Sequence, residues 1–95
     1  MMNKKQRSLY DQFYESTIYC EHLDEKTEIL IGLAAAMAMN CLPCQRYYLL
    51  RAKKQGIKKG KLSEVLAKVM AVSAGQKRLQ MDEVLSSYDI SLDDE

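Results

Sequence analysis

Two cysteines at i and i+3, Cys41-Leu42-Pro43-Cys44, are the residues whose type and spacing point most directly to chemistry. At that separation the two sulfurs can meet in a small disulfide ring, so the pair can cycle between dithiol and disulfide by exchange with a partner. Pro43 is at home in the first turn of a helix, where its missing N–H costs nothing. The motif therefore straddles a helix start, whose free N–H groups and dipole favour a thiolate. Between Cys41 and Ser63 lie seven bases (Arg46, Arg51, Lys53, Lys54, Lys58, Lys59, Lys61) and no acid, and their charge pushes the same way. At least one thiol is expected to be more acidic than a free cysteine. Two other readings of these residues stay open. Both cysteines can serve as small buried hydrophobes. Alternatively, Cys20 and His22 can join them in a three-sulfur, one-nitrogen set, the ligand count of a structural zinc, although Cys-x-His is tighter than the usual knuckle. Taken singly, Cys20 reads as a packing residue and His22 as a surface residue in a turn.

The elements that must hold this motif read as helices throughout, and the expected class is all-α, a compact bundle of about five. Leu9, Phe13 and Cys20, with Tyr10, Tyr14 and Ile18 beside them, predict an amphipathic helix over about residues 4–20. Asp24 can cap a second helix whose first turn holds Glu25 and Glu28, acids suited to the positive end of its dipole. After Ile29 this helix is apolar on nearly every side, with Gly32, Ala34, Ala35, Ala36 and Ala38 allowing close approach of neighbours, so it needs cover all round. A third helix is expected from about Leu42 to Gln55, stopped by Gly56 in a left-handed cap and finished by Arg51, Lys53 and Lys54. Leu62, Val65, Leu66, Val69, Met70 and Ser73 mark a fourth, beginning at Ser63 or Lys59. Past Gly75, the set Leu79, Met81, Val84 and Leu85 predicts a short fifth helix before a frayed acidic end.

The chain has 95 residues, of which 47% are hydrophobic and 28% charged, the inventory of one folded domain over 1–95 and not of a disordered chain. A monomer this small buries only about 60 to 65% of its unfolded surface, so a homo-oligomer is expected to supplement its core. The longest apolar stretch, Ile29 to Met39, is about half the ~20 residues needed to cross a bilayer, so no membrane association is expected. The basic N-terminus turns acidic at Asp11 and Glu15 where an export signal needs its apolar run, so a cytoplasmic location is expected. In that compartment cysteines serve redox or metal chemistry and not static cross-links. Net charge is +1, but the charges are sorted: Leu79 to Glu95 holds six acids and no base. The basic stretch reads either as an electropositive setting or docking face for an acidic partner, or as a solvated helix end balanced by the acidic tail. No nucleic-acid-binding motif accompanies it, so no nucleic acid is expected as a partner.

The run from Leu23 to Gly75 resembles the carboxymuconolactone decarboxylase family, in particular its alkylhydroperoxidase-D-like branch. The resemblance is carried by the Leu23-Asp24-Glu25-Lys26-Thr27 helix start, the alanine-rich helix, Cys-x-x-Cys at the next helix start, Gly56 about a dozen residues on, and the amphipathic helix ending in small residues. It implies an all-helical fold assembling into trimers or hexamers, and reduction of a hydroperoxide or disulfide, recharged by a dithiol donor such as a lipoylated or thioredoxin-like protein. No cofactor or metal is implied. By the same resemblance Cys44 attacks the peroxide and Cys41 resolves the sulfenic acid. Where the branch places a His four residues after the second cysteine and a Glu twelve before the first, this chain has Tyr48 and Ile29, so that proton relay is absent. Tyr48 still shares the Cys44 face at i+4. A phenol with a reference pKa near 10 is a poor base at neutral pH, and its expected role is to donate a hydrogen bond to a thiolate. Glu28 is one residue out of register, a rotation of about 100°. His22 replaces the lost base only if the turn before the second helix folds over the cysteines. The expected function is thiol-dependent hydroperoxide reduction, slower than in relay-bearing relatives, or thiol-disulfide exchange alone. The alternative is a non-catalytic oligomeric scaffold or binding module that has kept the frame.

Overall fold

The computed structural model describes residues 1–93, and among them the chain is all-α, with four helices and no strand. They are α1 (Lys4–Ile18), α2 (Glu25–Ala38), α3 (Leu42–Lys54) and α4 (Lys59–Ser87). Asp24 opens α2 as expected, its carboxylate accepting the Thr27 N–H at 2.8 Å. At α1, Asn3 does the same for the Gln6 N–H at 2.8 Å. At the far end of α3, Gly56 takes φ +68°, which costs an L side chain but not glycine. The Ile57 N–H then reaches the Ala52 carbonyl at 3.0 Å and the Gly56 N–H reaches Lys53 at 3.1 Å, a Schellman ending whose apolar clasp is Ala52 against Ile57.

The expected fifth helix does not exist as a separate element. Gly75 lies inside α4, which runs unbroken for 29 residues, about 43 Å at 1.5 Å per residue. An interior glycine costs about 1 kcal/mol relative to alanine. The good helix formers around it, Ala74, Gln76, Lys77, Arg78 and Leu79, outweigh that cost, and no proline interrupts them. Of the acidic end expected to fray, the start closes α4: Asp89 adopts φ +53° and the Ile90 N–H reaches the Leu85 carbonyl at 2.9 Å, while Asp94 and Glu95 lie outside the described residues.

The core is built around α2. Helix α3 returns antiparallel along one side of it and the first half of α4 covers another. Ile29 and Leu33 are fully buried, each contributing about 1.5 to 3 kcal/mol, with Ala36, Ala52 and Ile57 filling in and Leu30, Tyr48 and Leu62 packed around them. The compact bundle expected from the sequence is not formed by the chain alone. Its radius of gyration is 18.7 Å, against about 12 to 13 Å for a compact chain of this length. Two elements cause the difference. No residue of α1 is buried, and the Leu9, Tyr10 and Phe13 face that was expected to pack stays exposed. The second half of α4 extends past the end of α2 without a neighbour. No described helix is long and apolar enough to cross a membrane.

The Thr27 N–H holds the Asp24 carboxyl below its ordinary range. A carboxylate with a lowered folded pKa contributes its stability above the unfolded value, and loses it as pH falls through the folded one. Asp24→Asn keeps a capping oxygen without the charge. The stability difference between the two proteins, read from urea midpoints, is therefore expected to favour Asp24 at pH 7 and to shrink towards pH 3.

Candidate redox site

Cys41 belongs to two helices at once. It follows the left-handed Asn40 (φ +56°) that terminates α2, and its N–H closes that helix onto the Ala36 carbonyl at 2.9 Å. It is also the N-cap of α3, its sulfur accepting the Cys44 N–H at 3.3 Å, with Pro43 in the first turn. The connection between α2 and α3 therefore has no slack. Cys41 and Cys44 are joined as a disulfide with their Cα atoms 5.3 Å apart, inside the range bridged cysteines adopt. Both are half-buried.

One turn along α3, Tyr48 lies across α2 at Gly32. A Cβ at Gly32 would overlap the Tyr48 ring, so the absent side chain is what lets the ring in. Beyond the ring, the Tyr48 and Tyr14 hydroxyls meet at 3.4 Å, the polar link from α1 to α3. Burial pushes the Tyr48 phenol well above its ordinary pKa, and the Tyr14 hydrogen bond and the Glu28 charge add to the effect. It stays protonated at neutral pH and is no base there.

The other position where the branch carries a relay residue is Ile29, which is fully buried in the core. Glu28, one residue earlier, is also buried but committed elsewhere. Arg51 reaches it from α3 with Nη1 at 3.0 Å from Oε2 and Nη2 at 2.7 Å from Oε1, and Oε1 has no partner besides that nitrogen. The hydrogen bond to Glu28 raises the Arg51 pKa further above its ordinary value. Glu25 lies 3.8 Å from the same guanidinium, which also stands over the Tyr47 and Tyr48 rings at 5.6 and 5.8 Å. Arg51 is thus turned inward, and is not simply a counter-charge for the end of α3.

The remaining candidates stay apart from the cysteine pair. His22 is exposed beside Glu21, so it does not fold over the disulfide as a replacement base. Cys20 is a free, half-buried thiol donating to the Thr17 carbonyl at 3.1 Å. It lines a cavity of about 250 Å³ together with Glu28, Gly32 and Tyr48, and neither Cys41 nor Cys44 lines it. Among the described residues no group of three or more His, Cys, Asp or Glu is placed to hold a metal, so the zinc set does not assemble. Sequence reasoning missed Arg51, Gly32 and Tyr14 as parts of this neighbourhood. A carboxylate at the head of an almost wholly apolar helix was the available signal for Arg51, because a buried charge requires a partner.

Removing one member of the buried pair strands the other. Arg51→Ala is expected to cost about 3 to 5 kcal/mol in chemical denaturation, whereas the double replacement Glu28→Leu with Arg51→Met recovers most of the loss. Gly32→Ala is expected to cost about 1 to 3 kcal/mol by forcing the Tyr48 ring out of its place, with a change in tyrosine near-ultraviolet dichroism that reports the displacement.

The fold is also found in a known protein. The solved structure of a protein from Methanobacterium thermoautotrophicum superimposes with a TM-score of 0.78 at 25% sequence identity, over 84% of this chain and 90% of that one. No curated protein matches the chain. The family model described as the carboxymuconolactone decarboxylase family matches residues 7–86. That match reaches into all four helices and spans the Cys41–Cys44 junction between α2 and α3, and the chain belongs to the carboxymuconolactone decarboxylase family.

Proposed function

We propose that the protein is a thiol-dependent oxidoreductase that reduces a hydroperoxide or a disulfide with its Cys41/Cys44 pair. The observation that carries this reading is the juxtaposition of the two sulfurs at the first turn of α3, with a backbone N–H directed at Cys41. In the peroxide reaction the Cys44 thiolate attacks one peroxide oxygen, the O–O bond breaks, and the substrate leaves as an alcohol once protonated. Cys44 is left as a sulfenic acid. Cys41 then displaces water from it to form the disulfide, so that one hydroperoxide and two thiols yield one alcohol, one water and one disulfide. A dithiol donor, lipoylated or thioredoxin-like, returns two electrons in two displacements: one of its thiolates attacks Cys44 to form a mixed disulfide, and its second thiol then displaces the Cys44 thiolate, leaving the donor as a disulfide. Cys41 departs as a thiolate, and the Cys44 N–H and the free end of α3 stabilise the charge it takes on. Tyr48 donates a hydrogen bond in this scheme and takes no proton. The setting we propose is cytoplasmic and homo-oligomeric, a trimer or hexamer of the kind the family resemblance implies.

A second reading, a non-catalytic oligomeric scaffold, is favoured by the fate of the relay positions. Ile29 is sealed in the core and Glu28 is neutralised by Arg51, so among the described residues no buried carboxylate is free to pass a proton.

Cys44→Ser is expected to abolish peroxide turnover and block disulfide formation. Cys41→Ser is expected to keep one turnover and accumulate a sulfenic acid that dimedone traps, read by mass spectrometry. Unchanged turnover in Cys44→Ser overturns the redox reading. Tyr48→His restores a titratable base and is expected to raise turnover by up to about 10²-fold. Ile29→Glu is not a usable companion, because it would place a charge at a fully buried site.

A further inference from the structure

One side of α3 packs on α2, and the side turned away from it is uncovered. Along that open side Pro43, Tyr47, Leu50 and Lys54 fall at i, i+4, i+7 and i+11 and so form one stripe. All four are exposed, Tyr47 at 39% and Leu50 at 68%. The stripe begins at the disulfide. Pro43 is the residue before Cys44, and Tyr47 stands one turn beyond that cysteine with the Arg51 guanidinium over its ring at 5.6 Å. From Pro43 to Lys54 it runs about 16 Å at 1.5 Å per residue. Arg46 and Lys53, both exposed, line its edge. The charge around this apolar centre has one sign, because Ile29 to Ser63 holds seven bases and no acid. The nearest acids before that run, Glu25 and Glu28, are turned to Arg51.

We infer that this stripe is the docking face for the dithiol donor, and that the donor is a protein carrying its dithiol on its folded surface within a ring of carboxylates. The inference rests on the redox function proposed above and names the partner of that site. Charge selects the sign of the partner: an apolar centre edged by Arg46, Lys53 and Lys54 is matched by an apolar centre edged by acids. Turnover selects its manner of binding. The donor has to reach Cys44 and leave again in every cycle, whereas a permanently seated second copy would cover the sulfur. Extent selects a folded surface, since a small dithiol or one carried on a free arm needs the sulfur alone and makes no use of Leu50 or Lys54.

Seating carboxylates on Lys53, Lys54 and Arg46 brings the donor's thiolate to the disulfide end of the stripe. A bond forms between the donor sulfur and Cys44 as the Cys41–Cys44 bond breaks, and Cys41 leaves with the electron pair as a thiolate. The donor's second thiol, giving up its proton, then displaces the Cys44 thiolate, so the chain ends as a dithiol and the donor as a disulfide. The donor arrives bearing a thiolate and departs without it. The basic edge that draws it in therefore holds it less firmly once it is oxidised.

The test is the rate at which the disulfide of the full-length protein is reduced by two dithiol peptides with the same Cys-Gly-Pro-Cys core, one flanked by glutamates and the other by lysines. Each rate is divided by that for dithiothreitol on the same protein, and the helicity of every variant is verified by circular dichroism. The ratio of acidic to basic peptide is expected to fall about tenfold or more from the natural chain to Lys53→Glu with Lys54→Glu, and comparing the two proteins cancels the intrinsic reactivity of the peptides. Added salt is expected to remove the difference. Placement is read by joining the acidic peptide through a single thiol to Cys44 of the Cys20→Ser, Cys41→Ser chain and treating it with carbodiimide, which is expected to link its glutamates to Lys53 or Lys54. An unchanged ratio in the charge-reversed chain, or links at Lys4, Lys5 or Lys77 instead, overturns the docking face while leaving the redox reading standing. A dihydrolipoyl-lysine peptide that outpaces the acidic peptide and ignores the charge reversal overturns it in favour of a dithiol on an arm. An oligomer that dissociates on Leu50→Glu overturns it in favour of a contact between copies. A disulfide that hydroperoxide does not form and dithiothreitol does not reduce overturns both readings.

Discussion

A carboxylate buried at the head of an apolar helix must find a cation, and in this protein Glu28 finds Arg51. That requirement fixes the path of α3. For the guanidinium to reach Glu28, α3 has to return antiparallel along α2 in a register that sets position 51 beside 28 and position 48 beside 32. The turn at Asn40 and Cys41 closes the hairpin at the other end. Between these two points Tyr48 crosses over Gly32 and Ile29 is sealed in the core. A buried ion pair adds little net stability over an apolar pair of the same volume. Its value here is positional, because only one register satisfies it.

The position also explains why the proton relay expected of the branch does not reassemble from nearby residues. Glu28 is adjacent in sequence to the missing Glu and buried beside Tyr48, but its charge is already opposed by Arg51. Tyr48 occupies the His position, but burial and the Tyr14 hydroxyl keep its proton in place. What remains at the cysteines is the electrostatics of a helix start: backbone N–H groups, a dipole and a proline that fits the first turn. Those features suit sulfur exchange, in which the essential event is departure of a thiolate, better than a reaction that needs a poised base.

Much of this was legible in the sequence because it is local. The caps at Asp24, Pro43 and Gly56 depend on neighbours within four residues, and the helix starts and stops they predict lie within two residues of those observed. Cys41 and Cys44 are likewise close enough for spacing alone to bring their sulfurs together. What was not legible depends on cover. Gly75 reads as a terminator only if the helix formers around it are given too little weight. The exposed faces of α1 and α4 carry an amphipathic pattern that says they will be buried, but the pattern does not distinguish burial within the chain from burial against another molecule. Arg51 was read from its place near the end of α3 and not from its distance to Glu28, since twenty-three positions of separation hide a contact that only the hairpin creates.

The double duty of Cys41 gives the redox state of the chain a mechanical expression. A cap made by Ser or Asp is indifferent to oxidants, whereas here the atom that accepts the Cys44 N–H in the first turn of α3 is the same sulfur that joins Cys44, and the Cys41 N–H finishes α2. Electron transfer at this sulfur alters the charge that meets the α3 terminus and releases the bond that ties its first turn together. In the redox reading proposed above, the junction between the two core helices and one of the two exchanging sulfurs belong to the same residue, so a change of oxidation state at Cys41 also changes the grip on the backbone at that point.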